Sequence, residues 1–471
     1  MVSNYIESIG LAVVLVIQIF LTGCDGKIGT PPKTADFQAL VFTDVHFNPF
    51  YDHALFQALN ASDPSQWAGI FRSSSVTAPS TWGQDTNYPL LALTLSSVSR
   101  NLGESPFVIF TGDILGHYLP QTFFKLYDPA NTANPTAEDI AAMKAFTDKT
   151  ITFVMQQVRA SVGDVPVLFA LGNADSYTGL GPDAAFLSNT VQLFYSQFLN
   201  GSVDQQPFVT AFTGGGYYSA DMANTNLTVI GLNTFEFSPP NPYMSDMSSA
   251  VYAQLAWLDS ALASARSRSR KVWLLMHVPP GADEATTSHS VEPNGHITTP
   301  AMMWKGEYQD TFLQTLSKYP GLVTFILGAH THVDEYRIIS PGNVLEITPG
   351  IAPYFGNNPA FKIFTFSRAT LAALDDTVLN CDLATNPPQF AGFYTFSAAY
   401  GMQGPLSDSL IKLYPELVID GAKQALYRRH YYSGRAYSSG FSPITDLNWP
   451  VFWGGIGNMD EQSFIRAVNF Y

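Results

Sequence analysis

Short runs rich in Val, Ile, Leu and Phe recur along this chain at residues 39–42, 107–110, 165–171, 227–232, 272–276 and 322–327. Each is too short for a helix and too continuously apolar for a strand with one wet face, so each predicts a strand buried on both faces. Between them lie segments of helical periodicity at 90–102, 137–162, 182–199, 248–266 and 306–319. Strands and helices in alternation mean layered α/β architecture. No repeat of fixed period interrupts it. The short basic run Arg266-Ser267-Arg268-Ser269-Arg270 reads as a solvated helix end, where cations suit the dipole.

The polar residues just past these runs are more specific than the runs themselves. Asp44 and His46 come after the first, Asp113 after the second, Asn173 and Asp175 after the third, His277 after the run ending at 276, and His330 and His332 after the last. In layered α/β sheets, ligands gather at the carboxyl ends of strands, where loops bring distant residues together. Taken singly, an Asp-x-His, a Gly-Asp turn or a lone His is weak. As an ordered set they supply enough imidazole, carboxylate and amide groups for two adjacent divalent-metal sites sharing one carboxylate. Such donors suit Zn, Fe, Mn or Co, with Zn expected first, and the lack of clustered thiolates excludes a Cys-rich structural zinc site. His53, His117, His289, His296 and His430 lie outside the set.

The balance of 23 Lys+Arg against 38 Asp+Glu gives −15, which opposes binding to nucleic-acid duplexes. At the N-terminus, residues 9–20 form an apolar run too short to cross a bilayer of about 30 Å but suited to a signal peptide. It ends in Leu21-Thr22-Gly23-Cys24, which resembles a bacterial lipobox, although the preceding residues carry Glu7 and no Lys or Arg. The expected organisation is a lipoprotein-type signal peptide over 1–23, a tether over 24–35, a catalytic domain over 36–375 and a mostly helical C-terminal subdomain over 376–471. Lipid on Cys24 would anchor the chain outside the cytoplasmic membrane as a secreted or envelope protein. Cys381 would then have no disulfide partner and reads as a small buried apolar residue.

At its polar positions the chain resembles the calcineurin-like metallophosphoesterases, whose ordered pattern is DxH, GD, GNH(D/E), H and GHxH. TDVHFNPFYD at 43–52, TGDILGH at 111–117, MHVPPG at 276–281, AHTHVDEY at 329–336 and the Asn-Pro segment at 357–364 look like the acid sphingomyelinase and sphingomyelinase-like phosphodiesterase branch. The Tyr-rich tail at 427–440 and a closing helix at 459–469 also fit that branch. The resemblance implies a four-layer α/β/β/α sandwich. It also implies that Asp44, His46 and His332 hold one divalent metal, that Asn173, His277 and His330 hold the other, and that Asp113 bridges them. The implied reaction is hydrolysis of a phosphodiester or phosphoanhydride by water held between the metals.

Two departures stand out. Where the family motif has its catalytic histidine, this chain has Ala174, which cannot donate a proton, so His117 becomes the candidate acid for the leaving group. The chain also lacks the cysteines of the disulfide-rich animal members. The expected substrates are nucleotides or small choline-type phosphodiesters, with sphingomyelin, polyphosphate or metal binding without turnover as alternatives. Among Phe47, Phe50, Tyr51, Trp82, Tyr88, Phe235, Phe237, Tyr354 and Phe355, ordinary core packing competes with stacking on substrate. Segments 119–135 and 281–304 read as long polar loops rimming the pocket, and a monomer is expected.

Overall fold

The computed structural model describes residues 36–239, 248–340 and 342–471. The expected signal peptide, the tether and Cys24 lie outside these residues. The described residues form one compact unit. Its strands are β1 Phe37–Phe42, β2 Val108–Phe110, β3 Val167–Phe169, β4 Tyr218–Asp221, β5 Leu227–Gly231, β6 Lys271–Leu275, β7 Val323–Gly328, β8 Glu335–Ser340, β9 Asn343–Ile347, β10 Ala360–Phe366, β11 Ala373–Cys381 and β12 Phe390–Thr395. They make two six-stranded sheets, ordered β12-β11-β10-β1-β2-β3 and β4-β5-β6-β7-β9-β8. The six apolar runs are β1, β2, β3, β5, β6 and β7, and these pair in parallel within their sheets: β1 with β2, β2 with β3, β5 with β6 and β6 with β7.

The two-residue alternation of β6 shows how the layers form. Trp273 and Leu275 join the core shared with the first sheet, while Val272 and Leu274 turn to the helices Ser248–Ser267 and Gly306–Ser317. Trp273 stacks on Phe37 at 6.2 Å and meets Phe366 at 4.1 Å between ring centroids, and its indole N–H donates to the Leu371 carbonyl. On the outer side of the first sheet, Phe110 meets Phe198, and the long helix Ala137–Val162 is started by a reciprocal capping box of Thr136 and Asp139. The order is helices, sheet, sheet, helices, the expected sandwich.

The boundary placed at residue 376 falls inside β11, which runs without a break to Cys381 and is followed by β12 in the same sheet. β11 reads ALDDTVLNC, with Asp375 and Thr377 on one face and Asp376 and Asn380 on the other, so it holds no continuous apolar run. The helical part begins at Phe396 and packs against β8, β9 and β11. Segment 119–135 likewise holds the helix Leu119–Tyr127 rather than loop throughout, and 281–304 includes the short helix Glu284–Ser288. Cys381 is buried and free, and burial pushes its thiol up to about 12. Among the described residues no helix is long and apolar enough to cross a membrane.

Candidate metal centre

Beyond the last residue of β1 the chain keeps pairing with the loop after β2. The amides of Asp44, His46 and Phe47 donate to the carbonyls of Gly112, Asp113 and Ile114 at 3.0, 2.9 and 2.8 Å. The loop after β3 presses on the same place. Gly112 has φ +105°, and a Cβ there would lie 2.5 Å from the Gly172 nitrogen, so only glycine permits the approach. Asp175 locks the junction by accepting from the amides of Gly172, Asp113 and Ile114 at 2.9, 3.0 and 2.8 Å. It is a clamp for the loops, and burial, followed by the nearby Asp113, raises its carboxyl to about 6.

Five of the expected ligands occupy left-handed backbone: Asp44, His46, Asp113, His330 and His332, with φ of 48°, 40°, 61°, 79° and 61°. Each such non-glycine residue costs on the order of 1 kcal/mol or more, and strain concentrated this way marks functional sites.

All seven expected ligands are brought together. Asp113 Oδ2 lies 3.2 Å from His46 Nε2 and 3.1 Å from His277 Nε2, placing one carboxylate oxygen between two imidazoles. Its other oxygen accepts from the Ala174 amide at 2.7 Å. His46 Nε2 and His332 Nε2 stand 3.1 Å apart, with Asp44 Oδ1 3.9 and 3.5 Å from them. On the other side, Asn173 Oδ1 is 3.1 Å from His277 Nε2. Asp44, His46 and His332 converge as one group, and Asp113, His277 and His330 as another. Nitrogens bound at 2.0–2.1 Å to one cation lie roughly 3 Å apart, which the His46–His332 spacing matches.

The ring orientations and the charges fit cations. Nδ1 of His46, His277 and His332 faces the carbonyls of Leu115, Thr111 and Ala352 at 3.0, 2.8 and 3.1 Å. A carbonyl only accepts, so each Nδ1 carries hydrogen and each Nε2 is aimed inward, the usual second-layer support for metal-binding histidines. Asp44 is fully buried, yet neither of its carboxylate oxygens has a hydrogen-bond partner. A buried charge without hydrogen bonds is costly unless a cation compensates it. Without one, burial raises the Asp44 carboxyl to about 6, and His46 and His277 must hold protons themselves. Burial would lower both, but Asp113 outweighs it and lifts each to about 9. Burial holds His330 down to about 3 and His332 well below its ordinary value.

His117 is a neighbour rather than a member of the two ligand groups. Its ring lies between His46 and Tyr354, with centroids 4.0 Å away on each side and interplanar angles of 19° and 23°. Asp85 holds it twice, through Nδ1 at 2.7 Å and through the backbone amide at 2.8 Å. Burial, and then His46, lower its basicity, while Asp85 opposes them. Sequence reasoning missed Asp85, which lies in a loop with no spacing signal. Its one trace is Thr86, whose backbone pairs with His46 and Asn48. The aromatics divide. Phe47, Phe50 and Phe237 are core residues, whereas Tyr354 covers His117 and Phe355 meets His332 edge to face at 4.8 Å.

The chain is similar to sphingomyelinase phosphodiesterase C of Dictyostelium discoideum, 23% identical over 77% of this chain and 75% of the relative. It is similar to the cyclic GMP-AMP phosphodiesterase of Rattus norvegicus, 24% identical over 87% of this chain and 88% of the relative. It is also similar to acid sphingomyelinase-like phosphodiesterase 3b of Homo sapiens, 22% identical over 90% and 87%. Among solved structures, a dimetal phosphatase from Danio rerio aligns at 14% identity and a TM-score of 0.40, covering 73% of this chain and 95% of that one. The sequence pattern of the calcineurin-like phosphoesterases matches residues 37–334. That match runs from the first residue of β1 to the second residue after His332 and takes in all five ligand-bearing strand ends, and the chain belongs to the calcineurin-like phosphoesterase family.

Proposed function

We propose that this chain is a binuclear metal-dependent phosphodiesterase acting on nucleotides or small choline-type phosphodiesters. The observation that carries the reading is the Asp113 carboxylate, set between His46 and His277 beside an Asp44 with no hydrogen-bond partner. In this reading Asp44, His46 and His332 hold one divalent cation, Asn173, His277 and His330 hold the second, Asp113 is shared, and zinc is the first candidate. Bound there, the cations supply Lewis-acid stabilisation of phosphoryl charge and a water of lowered pKa.

The chain's own residues do the rest. The Ala174 amide and the carbonyls of Leu115, Thr111 and Ala352 fix the ligands before substrate arrives, so little reorganisation is needed during reaction. Ala174 offers no proton. His117 is the side chain placed to give one: Asp85 keeps the Nδ1 hydrogen, which leaves Nε2 to protonate the departing oxygen, in acidic solution above all, where the imidazolium prevails. Secretion through the N-terminal signal and a lipid on Cys24 would place this activity outside the cytoplasmic membrane; fractionation of wild type against Cys24→Ala tests the anchor.

The decisive experiment is turnover of bis-p-nitrophenyl phosphate by purified protein supplied with Zn or Mn, together with metal analysis. Two metals per chain and metal-dependent turnover are expected; no turnover with both sites filled overturns the reading. The Dictyostelium relatives named as sphingomyelinases supply the second reading, and rates on CDP-choline, ATP and sphingomyelin separate the two.

A further inference from the structure

A row of aromatic rings leads away from the metal-ligand cluster. Phe355 contacts His332 at 4.8 Å, Phe441 contacts Phe355 at 5.5 Å, and His289 contacts Phe441 at 5.6 Å, all edge to face. Beside this row is a cavity of about 140 Å³, walled by His330, Thr331, Phe355, Tyr431, Tyr432 and Phe441. Two of those residues belong to the loop that carries the expected ligands, and three come from the C-terminal part, beyond the residues matched to the family. Phe441 leaves 59% of its surface in solvent. Standing on the rim of a cavity, this ring has surface left for a ligand to cover.

The surrounding bonds hold this wall rigid. The Tyr432 hydroxyl donates to the Ser442 carbonyl at 2.9 Å, Ser442 Oγ lies 3.0 Å from His289 Nε2, and the Phe441 amide donates to the Phe355 carbonyl at 2.9 Å. The polar atoms of Tyr432 and Ser442 are therefore engaged by protein, and the two carboxylates in the cavity wall are engaged as well, Glu284 by Arg337 and Asp283 by Thr286, so the free apolar part of the lining is made by the rings. In size the cavity matches one benzene ring, which fits in roughly 150 Å³.

We propose that this cavity is a subsite for one planar six-membered ring carried by an ester group of the substrate, with Phe355 and Phe441 as its specificity-determining walls. The ligand class is a phosphodiester with an aryl or pyrimidine-sized substituent next to phosphorus, in preference to one with only small alkyl groups. The inference rests on the reading of the neighbouring cluster as a phosphate-binding metal centre. It assigns the C-terminal segment the task of choosing substrates and leaves the chemistry to the two-sheet core.

Calorimetric titration of the zinc-loaded protein with diphenyl phosphate and dimethyl phosphate tests it without requiring turnover. Diphenyl phosphate is expected to bind at least tenfold more tightly. Phe441→Ala is expected to remove five- to tenfold of that preference and to leave dimethyl phosphate unchanged, while Phe441→Tyr, which keeps the ring, preserves it. Phe355→Leu gives the same loss as Phe441→Ala from the other wall. Equal affinity for the two esters, or an undiminished preference in both ring-removing variants, overturns the subsite. Preserved ring preference without hydrolysis of any diester overturns the phosphodiesterase reading alone.

Discussion

At the scale of single residues, the site depends on carboxylates whose two oxygens have different tasks. Asp113 gives Oδ1 to the Ala174 amide and turns Oδ2 between His46 and His277. Asp113→Asn keeps the shape but removes the charge both cations would share, so metal content should fall to one or none per chain and turnover should be abolished. Near-normal activity with two metals bound would remove Asp113 from the bridging role. Asp85 acts one step further out, through His117. His117→Ala should slow esters with alkyl leaving groups by about 100-fold or more, the scale of general acid catalysis, and p-nitrophenyl esters only slightly. Asp85→Asn should show the same leaving-group dependence with a smaller loss, because the histidine remains but its tautomer is no longer enforced. Equal losses on both ester classes would make the pair a positioning device for phosphate. In that proposal Ala174 is the reason the dyad would matter: at the position where the resembled motif carries histidine, this chain presents only a methyl group and a backbone amide.

At the scale of elements, the half of the cluster that holds Asp44, His46, Asp113 and Asn173 forms because the loops after β1, β2 and β3 close on one another, and His277, His330 and His332 reach it from the ends of β6 and β7. A Cβ at Gly172 would lie 2.0 Å from Asp113 Oδ1 and 2.4 Å from the Asp113 nitrogen. Gly172→Ala should therefore push the bridge off its position, costing about 1–3 kcal/mol of stability as an overpacked site and lowering metal content. A variant with wild-type melting temperature and two metals would show that the loops have slack. The same elements explain what the amino-acid sequence discloses. β1, β2, β3, β5, β6 and β7 are legible because strands covered on both faces read as unbroken apolar runs, and their ends then point to Asp44, Asp113, Asn173, His277 and His330. β4 and β8 to β12 are hard to see because their residues alternate or carry charges: Glu335 and Arg337 in β8, Glu346 in β9, Lys362 in β10 and Asp376 in β11 all look like surface residues until their partners are known. Asp85 is invisible for a related reason. Its role comes from a tertiary contact with His117, and no local pattern encodes that.

At the scale of the whole molecule, those hidden charges tie the layers together. Lys362 on β10 lies 2.8 Å from Asp334, 3.0 Å from Asp376 on β11 and 3.3 Å from Glu346 on β9, so one ammonium joins carboxylates from both sheets. One oxygen each of Glu346 and Asp376 has no hydrogen-bond partner. Burial raises Glu346 to about 8, with Lys362 only partly opposing it, and raises Asp376 to about 6. Burial alone raises Glu236 to about 8 as well. A carboxyl that is more basic in the folded chain binds its proton more tightly there. The stability it contributes is present at low pH and is lost as pH climbs from the ordinary 4.5 of Glu through about 8. His430 has the opposite sign, since burial lowers it to about 4 and the unfolded chain takes up a proton below 6.5 that the native fold refuses. Above pH 6.5 His430 is neutral in both states, and the falling contributions of buried carboxyls remain: Glu346, Glu236 and Glu284, which burial also raises well above its ordinary value. The unfolding free energy of the metal-loaded protein should therefore decline between pH 6.5 and 8, with a limiting slope of about 1.4 kcal/mol per pH unit for each proton released, and its melting temperature should fall with it. Glu346→Gln, which keeps the shape without the titration, should flatten part of that decline, and Glu236→Gln another part. A melting temperature constant across this interval in wild type, or an unchanged slope in both variants, would show that the inter-sheet charges do not set the pH response.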